Sequence, residues 1–388
     1  MLNFVHIGIG QCGNRLAEQF GKSGRLAFAI NTARVDMLNL DSKAIALKNQ
    51  IHIAIEGNKD GAGRNPLIGK ESMEANLDKV YEAIARATKD MAVDRFVLWA
   101  GLGGGTGTGG IVPLMQHLVA NGHKVMLGMT IPRKRESWIV RMNAIKALTN
   151  ILTVVDADRK NVVPYIIVDN EQFDGGLAAA NEAIAKDFVR FTNTTTNIPA
   201  DTAFDDTDFA RLLGYKGLVS VVRSTIATEA LRGTDTFAKA ISESWNRSAF
   251  AHFSPEDALG IANLVIVPQK FYRAKGSHEL INENIASVEE GCIQANAYSC
   301  LYENRNESIN KIIVYTFLTG MPSPEDTLDE LYEDVNEQIQ ETRERRRELK
   351  RNGLQSLGKR RGLEFDPNNI EVDSIVENDN ILNSMPLF

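Results

Sequence analysis

Seven of the ten residues from Gly101 to Gly110 (Gly-Leu-Gly-Gly-Gly-Thr-Gly-Thr-Gly-Gly) are glycine, and they directly follow the strand-like run Arg95 to Ala100. With so few side chains, successive backbone N–H groups can turn into one concavity, and no Cβ atom blocks a bound group. Apolar residues at helical spacing follow from Ile111 to Ala120. The loop would therefore present its anion to a helix N-terminus, with Thr106 and Thr108 adding hydroxyl donors. A flexible linker is the weaker reading, because linkers seldom join a buried strand to an amphipathic helix.

Two more glycine clusters precede this loop. Phe4 to Ile7 reads as a strand running into Gly8-Ile9-Gly10-Gln11-Cys12-Gly13-Asn14 and then a helix from Arg15. That G-x-G-x-x-G pattern leaves a dinucleotide site open, yet the next strand, Leu26 to Ile30, ends in Asn31-Thr32, not in the acid that would hold a ribose. Gly61-Ala62-Gly63-Arg64-Asn65-Pro66 follows the strand-like Ile51 to Ile55 and fails as a Walker A loop, with five residues between Gly63 and Gly69 and Glu71 after Lys70. Helix and strand patterns then alternate: a helix over 73–90, a strand over 124–130, a helix over 138–154 and a strand over 165–168. Such alternation predicts a parallel sheet covered by helices on both faces. The polar ends Pro132 to Glu136 and Asp169-Asn170-Glu171 lie where such a sheet binds its ligand.

A helical pattern runs through Asn181, Ile184 and Phe188, and from about Leu218 the pattern turns β-rich, with runs at 263–267 and 311–317 around a helix at 279–289. The chain is thus expected to divide into a nucleotide-binding domain (1–190), the end of a central helix with a loop (191–217), a second α+β domain (218–322), a C-terminal helix with a basic end (323–361) and an acidic tail (362–388). Thr327 is the expected cap of the last helix, whose Leu328, Leu331, Val335 and Ile339 follow three-four spacing. Nine basic residues against three acidic ones lie between Glu341 and Arg361, whereas the overall charge of −7 argues against general nucleic-acid affinity. No apolar run reaches the roughly 18 residues of a membrane span, and Met1 to Gly10 lacks a basic leader, so a cytoplasmic protein is expected. Three scattered cysteines, Cys12, Cys292 and Cys300, suit reduced thiols and form no zinc pattern.

With GGGTGTG at Gly103 to Gly109, GIGQCGN at Gly8 to Asn14 and Val168-Asp169-Asn170-Glu171 in this order, the chain resembles the tubulin/FtsZ superfamily over roughly residues 3 to 320. The resemblance implies a GTPase that assembles with itself into filaments, using GTP/GDP and Mg²⁺. It assigns the nucleotide to Gly10, Gln11, Cys12, Asn14, Asn31, Gly63, Asn65, Gly103, Gly104, Gly105, Thr106, Gly107 and Thr108, with Glu136 at the ribose and Asn170 and Asn181 at the guanine. No all-protein metal cage is implied. Arg141 departs from the FtsZ spacing and has no assigned role. Asp205 and Asp208, three apart in Asp205-Asp206-Thr207-Asp208-Phe209, resemble the family's catalytic acids, which act on nucleotide held by the neighbouring subunit. Their other reading is an N-cap with first-turn carboxylates.

The long C-terminal helix looks more like the TubZ and phage tubulin branch than FtsZ, and implies a role in segregating plasmid or positioning phage DNA, with the basic helix end meeting a DNA-binding adaptor. A CetZ-like or FtsZ-like role in cell shape or division, a non-polymerising regulator and an NAD-dependent oxidoreductase remain alternatives.

Overall fold

A computed structural model describes residues 3–55, 60–173, 176–197, 205–245, 254–304 and 310–361 of the 388-residue chain. The acidic segment 362–388, and the side chains beyond residue 349, lie outside this description. The first half runs β1 (Phe4–Ile9), α1 (Gly10–Lys22), β2 (Ala27–Asn31), α2 (Arg34–Leu38), β3 (Gln50–His52), α3 (Pro66–Glu74), α4 (Leu77–Thr88), β4 (Arg95–Gly101), α5 (Thr106–Ala120), β5 (Val125–Ile131), α6 (Trp138–Ala157) and β6 (Tyr165–Asp169). Then come α7 (Leu177–Asn197), α8 (Asp206–Leu212), β7 (Leu218–Ala227), α9 (Thr236–Trp245), β8 (Gly260–Pro268), α10 (Gln269–Tyr272), α11 (Ser277–Glu290), β9 (Asn296–Asn304), β10 (Lys311–Met321) and α12 (Glu325–Arg361).

All ten strands join one sheet, in the order β3-β2-β1-β4-β5-β6-β7-β10-β8-β9. β1 to β6 are parallel throughout, as the alternation predicts, and the order reverses between β1 and β4. The strands after Leu218 extend this sheet instead of forming a second one. Their junction with β6 is narrow: a single parallel pair, Tyr165 with Leu218, and the bond from Tyr165 N to Gly217 O at 3.1 Å.

Strand residues alternate between two helical layers. Val5, Ile7 and Ile9 of β1 face a core shared with α3, α4, α5 and α6. Phe4 joins Val97, Trp99 and Ile166 against α1, α7 and α8, through Leu16, Phe20, Phe188 and Phe209. Burial on both faces explains why these strands read as continuous apolar runs. One close approach needs a missing side chain: a Cβ on Gly13 of α1 would lie 2.0 Å from Trp99 O. α12 starts two residues before the expected cap, straight after Pro324, and stays helical through the basic segment to Arg361. Its Val335 and Ile339 pack on Met142 of α6. Among the described residues no helix is long and apolar enough to cross a membrane.

Candidate functional site

The carboxyl ends of β1, β2, β4, β5 and β6 border a cavity of about 410 Å³. Strand order places its parts. Gly10, Gln11 and Cys12 after β1 and Gly103 to Gly107 after β4 occupy the centre, at the switch point. Asn31, Thr32 and Asp36 after β2, with Gly63 and Arg64 before α3, form one flank. Glu136 after β5, Asn170 after β6 and Leu177 at the start of α7 form the other.

α1 and α5 both begin at the central loops, and neither start is capped by a side chain: Ile9 and Gly105 stand at the cap positions. By contrast Asn65 caps α3, accepting from Leu67 N at 3.0 Å. The first four N–H groups of a helix lack intrahelical partners, so two sets of free donors and two positive dipole ends converge on the cavity. Gly10 and Gly103 hold φ of 72° and 104°, which suits glycine, and turn the two loops inward. The glycine loop is itself braced. Gly103 N donates to Thr108 Oγ1 at 3.0 Å, Asn143 Nδ2 donates to Gly103 O at 3.4 Å, and the hydroxyls of Thr32 and Thr106 lie 2.6 Å apart. An anion with several oxygens, such as a chain of phosphates, matches this cradle.

Four of the expected nucleotide residues lie outside the cavity lining. Thr108 and Asn65 brace the loops through the bonds just given. Asn14 is buried and accepts from Ile30 N at 3.1 Å, tying α1 to β2. Asn181 is buried on α7 one turn beyond Leu177, on the same helix face. Burial pushes the Cys12 thiol up, against a hydrogen bond to Thr130 and with the Glu136 carboxylate adding to it, so Cys12 meets a ligand as a neutral thiol. Arg141 does not line the cavity; Gln338 and Asp334 of α12 hold it. A Cβ on Gly105 would meet Ala62 Cβ at 2.6 Å, whereas one on Gly104 would meet nothing within 4 Å.

Reading loops from glycine content missed Thr32, Asp36, Arg64 and Thr130, which also line the cavity. Thr130 and Thr32 had a usable signal, since both sit at the carboxyl end of a strand.

Asp205 and Asp208 lie at the opposite end of the sheet. Arg95, the first residue of β4, donates Nη2 to Leu213 O at 3.1 Å, just past α8, while the cavity begins where β4 ends. The seven residues of β4 span about 20 Å. Both acids form the start of α8: Asp205 Oδ1 accepts from Thr207 N at 2.7 Å and Asp208 N at 2.8 Å, and Asp208 Oδ2 accepts from Asp205 N at 3.4 Å. This reciprocal capping box realises the structural reading of the pair and leaves Asp205 exposed and Asp208 half-buried.

Comparison with known proteins agrees with this architecture. A model of the GTPase domain of the tubulin/FtsZ family matches residues 3–173. The tubulin-like protein TubZ of Bacillus cereus is 26% identical over 252 residues, covering 59% of this chain and 56% of that protein. The chain thus matches little more than half the length of that relative. The tubulin-like protein CetZ of Pyrococcus abyssi is 28% identical over 295 residues, covering 72% of this chain and 76% of the relative. Among solved structures, a GTPγS-form protofilament of Bacillus thuringiensis serovar israelensis TubZ superposes with a TM-score of 0.74 at 21% identity, covering 89% of this chain and 94% of that one. The glycine loops, the strand order and the matched segment converge: residues 3–173 match the GTPase domain of the tubulin/FtsZ family, and the whole chain shares the fold of the TubZ protofilament subunit.

Proposed function

We propose that the chain binds GTP in the 410 Å³ cavity and assembles head to tail into filaments, in which Asp205 and Asp208 of one copy hydrolyse the GTP held by the next. The observation that carries this reading is the separation of the parts: the phosphate cradle and the paired acids sit at opposite ends of one sheet, so no single copy brings them together. A head-to-tail stack does so at every joint. The triphosphate would lie on the central loops, with its guanosine toward Glu136, Asn170 and Asn181. The capping box uses Oδ1 of Asp205, which leaves Oδ2 to accept the proton of a water attacking the γ-phosphorus as the bond to the bridging oxygen breaks. Asp208 would orient that water.

Among the described residues no group of three or more metal-ligating side chains forms a metal cage. A lone carboxylate on one flank, Asp36, bonded by Asn31 Nδ2 at 3.1 Å, with the Thr106 hydroxyl nearby, suits Mg²⁺ held mainly by phosphate and water. Bound there, the ion would neutralise charge on the phosphates.

A role in segregating plasmid DNA is proposed, with the basic end of α12 meeting a DNA-binding adaptor; the support is the charge of that segment and the likeness to a type III plasmid segregation TubZ. A CetZ-like role is the second reading, favoured by the longer match to the Pyrococcus relative. Electron microscopy with GTP, paired with phosphate release, tests the core of the proposal: filaments and turnover that appear together are expected, and turnover by dilute monomer at the rate of the filament overturns it.

A further inference from the structure

The C-terminal helix is linked to the cavity wall of its own chain through two side chains, Asp334 and Gln338, that meet Arg141. The loop 132–137 supplies Pro132 and Glu136 to the cavity wall, and α6, which begins directly after it, supplies Val140. One residue further on, Arg141 is 3% exposed. Its Nη1 donates to Lys134 O at 3.2 Å and to Gln338 Oε1 at 3.3 Å, and its Nη2 lies 3.4 Å from Asp334 Oδ2. The same Asp334 oxygen is 3.1 Å from Lys134 Nζ. Arg141 therefore grips the loop from one side while α12 grips Arg141 from the other, backed by Val335 and Ile339 against Met142. The loop's remaining ties run toward the guanine flank: Lys134 N donates to Glu171 Oε2 at 2.9 Å, and Arg133 Nε to Asn170 O at 3.0 Å.

Building on the nucleotide reading above, we propose that Asp334 is a positioning residue for the nucleotide site: it holds Arg141, and Arg141 holds the cavity loop 132–137. Asp334 makes the only ion pair of Arg141 among the described residues. A buried guanidinium that loses its carboxylate is left uncompensated and moves toward water, and here that movement takes the bond to Lys134 O with it. The pair of Asp334 with Lys134 contributes little by itself, because Lys134 is largely exposed. Ordering of the loop must then come out of nucleotide binding, which weakens. The coupling is reciprocal: whatever lifts α12 from α6 loosens the nucleotide, and nucleotide tightens α12 by the same factor.

The test uses the full-length chain below its assembly concentration and measures equilibrium binding and release of a fluorescent GDP. Asp334→Asn, which keeps the shape and removes the charge, is expected to weaken GDP binding about five- to tenfold, mainly through faster release. Asp334→Glu restores most of it, and Gln338→Met, which removes the second acceptor, gives an intermediate loss. A chain ending at residue 342 keeps the clamp and binds as the full chain does. Asp334→Asn and Gln338→Met chains that bind and release GDP like the unmodified protein, whatever their melting temperatures, overturn the proposal. Failure of the unmodified chain to bind any guanine nucleotide overturns the reading of the cavity itself, and this inference with it.

Discussion

At Asp205 and Asp208 the observed capping box and the proposed catalytic role fall on one pair of carboxylates, and substitution can separate them. Asn caps a helix about as well as Asp, so Asp205→Asn should leave stability within a few tenths of a kcal/mol, whereas Asp205→Ala should cost about 1 kcal/mol. GTP turnover should collapse in both, with nucleotide affinity unchanged; denaturation curves beside phosphate release would show it, and full turnover by Asp205→Asn would remove the acid from the mechanism. At the glycine loop the effect of bulk depends on where the Cβ points. Gly105→Val collides with Ala62 and Asn65 and must displace their loop, so it should lose both stability and nucleotide affinity. Gly104→Val has room for its Cβ beside the cavity and should keep the fold while weakening GTP by about tenfold or more, roughly 1.4 kcal/mol, by calorimetric titration. His6 sets a pH dependence. Burial first, and the charge of Arg25 second, hold its pKa well below the ordinary value, while Trp99 Nε1 donates to its Nδ1 at 3.1 Å. The folded pKa lies below the unfolded one of about 6.5, so the unfolded chain takes up the extra proton and stability falls as pH drops below that value. Urea midpoints should be lower at about pH 5.5 than at about pH 7.5, and His6→Gln should flatten the difference.

Among the elements, α8 carries the acids of the proposed mechanism and contributes little to its own stability, since a helix of seven residues is marginal without tertiary packing. Phe209, the residue after Asp208, supplies that packing. Its ring lies 5.2 Å from Phe317 of β10, 5.4 Å from Phe191 of α7 and 5.8 Å from Phe4 of β1. Phe209→Ala should therefore cost about 3 to 5 kcal/mol in urea denaturation and lower turnover more than it lowers nucleotide affinity. Equal losses in the two would mean that α8 also supports the cavity.

For the molecule as a whole, the proposed function makes hydrolysis a property of the joint between copies, because the acids lie at one end and the cavity at the other. Activity should rise faster than linearly with protein concentration near the assembly threshold. Asp208→Asn chains mixed into unmodified protein should poison turnover beyond their mole fraction, because each one disables the neighbour whose GTP it faces. Steady-state phosphate release across a dilution series measures both effects, and strictly proportional activity would contradict them.

The local chemistry of the phosphate loops could be read from residues 8 to 14 and 101 to 110 alone, because glycine at those spacings dictates backbone conformation and leaves N–H groups free. The alternating apolar runs likewise determined the parallel half of the sheet, since burial on both faces demands them. Distance across the fold could not be read that way. That β7 adds to β6 through the single pair Tyr165 and Leu218, and so carries the later strands into the same sheet, depends on edge pairing that leaves no pattern in either strand. Asp205 and Asp208 looked alike as cap and as catalyst, and only their place at the amino end of β4 shows that their own cavity is out of reach. Arg141 stood near the nucleotide loops in sequence, yet the packing of α12 on α6 turned it toward Asp334 and Gln338, residues nearly two hundred positions away. Short-range conformational preference was written in the chain; which distant groups share a surface was decided by how helices and strands pack.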